Sequence, residues 1–239
     1  MTKITPLNTT EHSGLSIIES NDYSRFSSEH LIPVVAQEFV SIATEFPIVF
    51  VKNTETGRFT PVAMMGVKKG INLYCQDSSW RSGVKPLGFS NAPLSLVKTS
   101  EQSDEVMVCI DQSSHLVVDA GGHRLFNDDK EQSDYLKART QALLDIASFN
   151  QQTASICQLF TSLKLLEPMQ LSVKLINNEQ AINIDGVYVV DKKRLNELSD
   201  EDFLSLKNRG VLPLIYAHLL SLQQLSRLIE KQNRYDLSR

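Results

Sequence analysis

The stretch HLIPVVAQEFVSIATEFPIVFVKN, residues 30–53, predicts one short helix that runs into one buried strand, and the rest of the chain is organised around it. Pro33 suits the first helical position, where its missing N–H has no intrahelical partner to lose. The apolar residues that recur at three- and four-residue steps, the period of a helix face, are Val35, Phe39, Ile42 and Phe46. Pro47 ends the predicted helix, and the β-branched run IVFVK at 48–52 is typical of a strand.

Further strand candidates follow after short turns. FTPVAMMGV at 59–67 comes after the turn TETGR, and INLYC at 71–75 comes after a glycine-containing turn. Three sequential strands joined by short turns predict an antiparallel meander. VMVCI at 106–110 and HLVV at 115–118 predict two more strands. Near the N-terminus, the short strand candidates are ITPL at 4–7 and LSII at 15–18.

The second half of the chain combines helices with a strand hairpin. A helical stripe without proline runs from Asp134 to Leu163, with Ser133 as its N-cap, and predicts the longest helix. LSVKLI, AINI and VYVV then alternate as strands, separated by Asn177-Asn178 and by the hairpin-type pair Asp185-Gly186.

The C-terminal region predicts a helical hairpin. Ser199 and Asp202 form a capping-box-like start, and Gly210 stands where a residue with positive φ follows a helix. A last helix is predicted from about Pro213 to Lys231. The fold class is therefore α+β, with an antiparallel sheet packed against a long helix and a C-terminal helical hairpin. The predicted organisation is a polar segment over residues 1–29 and one domain over 30–239.

Composition excludes several classes of function. The 24 basic and 28 acidic residues give a net charge of −4, without the basic excess that a nonspecific nucleic-acid binder needs. The most apolar window, VLPLIYAHLLSL at 211–222, is well short of the roughly 20 residues that cross a bilayer, so no membrane insertion is expected. The three cysteines are far apart and odd in number, which favours reduced thiols. The N-terminus lacks a Sec-type pattern, so the predicted location is the cytoplasm, with surface association by a non-Sec route as the alternative.

Few residues suggest catalysis. The five histidines never fall at metal-ligand spacing, so neither a metal nor a cofactor is predicted. Glu38 flanks the apolar stripe, where it either pairs with a backbone or basic group at the edge of the core or acts as an acid or base together with His30. His218 is expected to be a packed histidine in a helix interface, because no nucleophile elbow precedes Ser221.

Two clusters suggest binding. Tyr74, Trp80 and Phe89 surround a proline-containing loop and form either a platform for a sugar or peptide or part of the core. In the last predicted helix, Leu214, Leu220 and Leu225 fall off the main apolar stripe. If that second face is exposed, it is a protein-docking site, most simply for a homodimer.

Several stretches resemble the SapC-like family of bacterial proteins. They are HLIPVVAQEFVSIATEFPIVF, FTPVAMMGVKKGINLYC followed by Trp80, HRLF, and GVYVVDKKRLNEL followed by FLSLKNRGVLPLIYAHLLSLQQLSRL. Together they are spread over roughly residues 30–228. Where relatives carry a basic residue and Pro-Phe after the tryptophan loop, this chain has SNAPLSLV, and the usual aspartate-rich strand is reduced to CIDQ.

The resemblance implies a small soluble protein whose family name comes from an association with bacterial surface layers. Relatives are often encoded near outer-membrane receptors and flavin-dependent halogenase-like proteins, which implies an accessory role. The leading hypothesis is therefore a non-catalytic binding or accessory protein with a protein partner or a second copy as its ligand. The alternatives are an enzyme or enzyme subunit with a site near Glu38 and His30 beside the Trp80 loop, and a component of surface-layer assembly.

Overall fold

A computed structural model describes residues 3–100, 105–173, 175 and 182–238. Its strands are β1 (Ile4–Pro6), β2 (Ser16–Ile17), β3 (Leu31–Pro33), β4 (Ile48–Lys52), β5 (Phe59–Met64), β6 (Cys75–Gln76), β7 (Ser79–Trp80), β8 (Leu94–Lys98), β9 (Val106–Asp111), β10 (Val117–Val118), β11 (His123–Arg124), β12 (Leu166–Val173) and β13 (Ile182–Val190). Its helices are α1 (Thr9–His12), α2 (Phe39–Ala43), α3 (Asp134–Ser162), α4 (Lys192–Asn196), α5 (Asp200–Asn208), α6 (Leu212–Ser221) and α7 (Gln224–Leu237). Short 3₁₀ turns cover Ser24–Phe26, Ala36–Glu38 and Leu87–Ser90.

Contacts within the chain group its residues into two compact units. The first unit combines Met1–Asn21 with Leu87–Ser148, and the second combines Asp22–Pro86 with Phe149–Arg239. Helix α3 contributes residues 134–148 to the first unit and 149–162 to the second. The predicted organisation, a polar segment over 1–29 and one domain over 30–239, stays a prediction.

The first unit contains two small antiparallel sheets with the strand orders β1-β9-β8 and β10-β2-β11. The short strands predicted at 4–7 and 15–18 are therefore present, as β1 and β2. Its main apolar core is a cluster of buried side chains: Ile17, Leu94, Ile110, Leu125, Phe126, Leu136 and Leu143. Leu136 and Leu143 lie two turns apart on α3, so the first half of that helix covers this core with one face. Ser133 accepts a hydrogen bond from the Leu136 amide at 3.1 Å, which confirms the predicted N-cap.

The second unit is built on an antiparallel sheet of five strands in the order β12-β13-β4-β5-β3. Phe50 on β4 is fully buried and meets the ring of Phe160 on α3 edge-on, with centroids 5.9 Å apart. Helix α6 packs on β4 and β13, and α2 packs on α6. The α+β class, with antiparallel sheets, a long helix and a C-terminal helical pair, is confirmed.

The predicted helix start at Pro33 is wrong. Leu31–Pro33 forms β3 and pairs with β5, with Ile32 opposite Ala63. A residue before proline is pushed towards extended backbone, and the β-branched Ile32 has the same preference. Proline is tolerated there because β3 is an edge strand, which leaves one row of amides unpaired. Helical structure begins only after Val35, whose own backbone is extended at φ −99° and ψ 156°.

The prediction that INLYC at 71–75 forms the third strand of a meander is also wrong. Only Cys75 is in a strand, and it pairs with Trp80 in the short hairpin of β6 and β7. The Asn72 side chain accepts the amide of Tyr74 at 3.0 Å and donates to the Phe26 carbonyl at 3.0 Å. These local bonds compete with strand pairing, and β3 takes the edge position beside β5 instead.

Asp185-Gly186 does not form the predicted hairpin turn but lies inside the single strand β13. Met169 pairs with Val187 and Leu171 pairs with Ile184, so β13 carries one extra residue between two pairs of partners. Gly186 has a φ of +79°, which a bulge of this kind requires and which other residues rarely adopt. The other predicted turn, Asn177-Asn178, lies outside the described residues.

The C-terminal capping pattern is confirmed, but the last helix is broken. Ser199 accepts the Asp202 amide at 3.1 Å at the start of α5, and Gly210 after that helix has a φ of +67°. The predicted helix from Pro213 to Lys231 is instead α6 and α7, separated by Leu222 and Gln223. The Ser221 hydroxyl donates to the His218 carbonyl at 2.6 Å, so that carbonyl bonds a side chain near the point where α6 ends.

Candidate functional site

Glu38 serves as a cap at the start of the short helical segment. Its side chain is 8% exposed, and Oε1 accepts the Val35 amide at 3.0 Å. That amide belongs to the residue that precedes the 3₁₀ turn Ala36–Glu38, so the carboxylate satisfies a backbone donor that the turn leaves open. The sequence suggested two roles for Glu38, and this geometry corresponds to the first of them, pairing with a backbone group at the edge of the core.

His30 lies half-buried immediately before β3, and its carbonyl accepts the Met65 amide at 2.8 Å. Burial lowers the pKa of the His30 imidazole, Glu29 raises it and Lys69 lowers it further. The ring is therefore biased towards its neutral form, which can accept one proton. The pairing of His30 with Glu38 as an acid and base stays a prediction.

The aromatic cluster that the sequence suggested is assembled in part. Tyr74 and Trp80 lie together, with ring centroids 6.0 Å apart. Phe46 joins them at 4.7 Å from Tyr74 and 6.0 Å from Trp80, and Tyr23 lies 6.1 Å from Trp80. Phe89 is buried in the first unit, whereas the other four rings belong to the second.

Tyr74 fills the core rather than offering a surface. Its side chain is 1% exposed, its hydroxyl donates to the Glu45 carbonyl at 3.4 Å, and burial, with a contribution from Glu45, raises the pKa of its hydroxyl. Trp80 is half-buried and its indole N–H donates to the Val84 carbonyl at 2.9 Å. Of the two rings, Trp80 is therefore the one that solvent can reach.

Helix α6 has two faces of different character. Ile215, His218 and Ser221 are fully buried on one side of the helix. On the other side Tyr216 is 48% exposed and Leu220, one turn later, is 62% exposed. Leu220 is thus on the open side, as the sequence pattern required for a docking site, whereas Leu214 and Leu225 are half-buried. Tyr216 was missed, although its spacing of four from Leu220 places the two on one face.

The buried side of α6 explains why the other side is oriented outwards. His218 Nε2 accepts the Val190 amide at 3.0 Å and Nδ1 bonds the Ile48 carbonyl at 2.9 Å. Ser221 Oγ accepts the Ile48 amide at 2.9 Å. These bonds fix the rotation of α6 against β4 and β13. Leu220, two residues after His218, is consequently directed away from the sheet.

A comparison with models of known protein families identifies the family of this chain. A model of the SapC family matches residues 7–228. The chain belongs to the SapC family. No curated protein and no solved structure matches it.

The SapC match covers the functional candidates described above. It includes Glu38, the Trp80 hairpin and the whole of α6, and it ends within α7. Within the described ranges, no helix combines the length and the apolarity that crossing a bilayer requires. In the same ranges, His, Cys, Asp and Glu side chains do not form a group of three or more suited to hold a metal ion.

Proposed function

We propose that this SapC protein is a non-catalytic accessory protein that binds a protein partner through the outward face of α6. The observation that carries the proposal is the 62% exposure of Leu220 on a helix whose opposite face is anchored in the core. Tyr216 extends the same face by one turn, and Val40 on the adjoining helix α2 is 63% exposed. Large exposed apolar side chains on a rigid element are typical of protein-docking surfaces.

The partner that this face suits most simply is a second copy of the chain. One helix face that packs against its own two-fold mate gives a closed, self-complementary interface. A tyrosine and a leucine in its centre match the aromatic and aliphatic composition of such interfaces. A homodimer is therefore the form of the proposal that the first experiment addresses.

The experiment is sedimentation of the wild type and of Leu220→Glu over a range of concentrations. We expect a dimer whose dissociation constant rises by about a hundredfold in the variant, because each copy loses a buried leucine and places a charge in the interface. Leu237→Glu is the matched control, since Leu237 is 60% exposed on α7, and it should leave the dimer intact. A wild type that stays monomeric at all concentrations, or a control that dissociates equally, would contradict the homodimer.

The geometry of Glu38 supports the non-catalytic form of the proposal over the enzymatic alternative. Its carboxylate bonds a backbone amide of its own segment, which is a cap and not a free acid or base. Surface-layer assembly, which the family name suggests, would also use a docking face, and the location of the protein separates the two roles.

We also propose a cytoplasmic location. The support is the state of the cysteines: Cys75, Cys109 and Cys157 are free thiols, and all are buried. Oxidising compartments favour paired cysteines, whereas a reducing interior preserves single thiols.

A further inference from the structure

A pocket of about 550 Å³ opens in the second unit beside the β6–β7 hairpin. Four segments from three regions of the sequence supply its walls. They are Ser27–Ser28 after the first 3₁₀ turn, 70–72, Cys75–Asp77 in the hairpin, and the end of α7 at Tyr235 and Ser238. Its volume lies in the range of about 300–1,000 Å³ that is usual for small-molecule sites.

The walls of this pocket are held together before any ligand arrives. The Asn72 side chain, in the second wall, bonds the residues that precede the first and third walls: it donates to the Phe26 carbonyl and accepts from the Tyr74 amide, both at 3.0 Å. The Asn72 amide also donates to the Ser27 carbonyl at 2.9 Å. A cavity of this kind needs little ordering when a ligand binds, which favours affinity.

The hairpin at the third wall is strained. Asp77 and Ser78 have φ values of 49° and 64°, so two consecutive residues other than glycine occupy the left-handed region. Each residue of this kind costs on the order of 1 kcal/mol or more. The Ser78 carbonyl accepts the Tyr23 amide at 2.7 Å, which anchors the turn. This turn and the strand residue before it place Asp77 and Gln76 in the lining of the pocket.

Three polar side chains of the pocket are available for a ligand. Among the described residues, the side chains of Ser27, Ser28 and Gln76 have no hydrogen-bond partner. Two hydroxyls and one amide can each donate and accept. Tyr235 adds an aromatic ring to the same wall as Ser238. Hydroxyl and amide groups can form hydrogen bonds with the hydroxyls of a sugar. An aromatic ring beside them can pack against the apolar face of the sugar ring.

Two carboxylates in and beside the pocket, those of Asp77 and Asp236, form ion pairs. Asp77 forms an ion pair with Arg81 at 3.2 Å, although both side chains are well exposed. Asp236, next to Tyr235 on α7, pairs with Lys68 at 2.8 Å. These two ion pairs reduce the charge that the pocket presents, which favours a neutral ligand over a strongly charged one.

We propose that this pocket is a binding site for a neutral, hydroxyl-rich small molecule, a saccharide of one or two rings. Ser27, Ser28 and Gln76 bond the hydroxyl groups, and the ring of Tyr235 packs against the apolar face of the sugar. The site is independent of the docking face on α6 and goes beyond the function proposed above.

Trp80 provides the assay, because it is the single tryptophan of the chain and pairs with Cys75 in the hairpin that lines the pocket. The probes are glucose, galactose, N-acetylglucosamine, maltose and sucrose, with inorganic phosphate and putrescine as charged comparators. We expect a saturable change in tryptophan fluorescence with at least one saccharide at a dissociation constant of about 1 mM or lower, and none with the charged probes.

The variants Gln76→Ala and Ser27→Ala test the location of the site. Each should weaken saccharide binding about tenfold, because one hydrogen bond is lost from a pre-formed pocket. Gln151→Ala, at an exposed position of α3, is the matched control and should bind as the wild type does. Far-UV circular dichroism identifies variants that remain folded. Three results would overturn the proposal: no saturable change with any saccharide up to about 10 mM, binding of phosphate or putrescine in place of saccharides, or a saccharide bound equally well by folded Gln76→Ala.

Discussion

At the scale of single residues, the buried ring of His218 on α6 connects the strands β4 and β13 of the second unit. The pairing of Val187 with Val51 and of Tyr188 with Phe50 sets Val190 opposite Ile48. The imidazole lies between these two backbones and bonds both, in place of a direct strand-to-strand hydrogen bond. Its partners assign the proton to Nδ1, because the amide of Val190 can only donate. Burial lowers the pKa of His218 to about 4, so the ring is neutral in the folded protein.

The first prediction follows from that pKa. An unfolded chain binds a proton at His218 below its ordinary pKa of 6.5, whereas the folded protein does not until about 4. The contribution of His218 to stability is thus complete above pH 6.5 and is lost progressively as the pH falls to about 4. Linkage makes this loss about 3 kcal/mol in the free energy of unfolding. Urea unfolding between pH 7.5 and 4 measures it.

The variant His218→Ala separates this effect from the titration of other groups. It should be less stable at neutral pH by about 2 kcal/mol or more, because the Val190 amide and the Ile48 carbonyl lose their buried partner. It should also lose less stability between pH 7.5 and 4 than the wild type does, because only other groups, His30 among them, then contribute to the pH dependence. His123→Ala is the control, since His123 is exposed in the first unit. An unchanged slope in His218→Ala would contradict the assignment.

At the scale of elements, the turn from Gly66 to Ile71 decides how β5 continues into the pocket wall. The Ile71 amide donates to the Lys68 carbonyl at 3.3 Å, and the Leu73 amide donates to the Met65 carbonyl at 2.9 Å. This closure brings the Ile71 carbonyl against Gly66, and a Cβ at Gly66 would overlap its oxygen. Glycine is required at position 66 because there is no space for a Cβ, and not because the backbone has a positive φ.

Gly66→Ala is therefore expected to destabilise the protein by about 2 kcal/mol, since the contact is with backbone that cannot rotate away. Gly83→Ala is a matched control in the same unit, because a Cβ there meets nothing within 4 Å. That variant should be neutral or slightly stabilising, as it reduces the freedom of the unfolded chain. Thermal unfolding of both variants measures the difference. Equal effects would show that the turn adapts.

At the scale of the whole molecule, the three buried cysteines bear on the proposed cytoplasmic location. Burial raises the pKa of the Cys157 thiol to about 12, and it also raises the pKa values of Cys75 and Cys109. Thiolates are the reactive form, so these thiols should be inert while the protein is folded. If the protein folds in a reducing compartment, burial should then keep the thiols in their free state.

Cell fractionation with thiol trapping tests the proposed location. We expect the protein in the soluble interior fraction, with all 3 thiols alkylated after denaturation and without prior reduction. Denatured protein reduced in vitro is the reference for full alkylation. Recovery of most of the protein from washed cell surfaces would contradict a cytoplasmic location and favour the surface-layer role.

Local chemistry was sufficient to predict part of the fold. The long stripe from Asp134 and the cap at Ser133 predicted α3 within a residue or two of its observed end at Ser162. Ser199 and Gly210 predicted the ends of α5, and the run IVFVK predicted β4. Periodicity also placed Leu220 off the main apolar stripe, but whether that face is exposed was decided only by the folded chain. These features depend on neighbours within one or two turns, which the sequence contains directly.

Tertiary structure decided the features that depend on distant partners. Pro33 became the end of a strand because β5 offered an edge, and Gly186 became a bulge because β12 pairs continuously with β13 on both sides of it. The pocket could not be predicted, since Ser27, Gln76 and Tyr235 are separated by scores of residues and none belongs to a motif. Their proximity arises only when the hairpin, the 70–72 segment and the end of α7 come together in the folded chain. Burial is nondirectional, so the sequence determined which faces are apolar, and only the folded chain determined which polar groups meet.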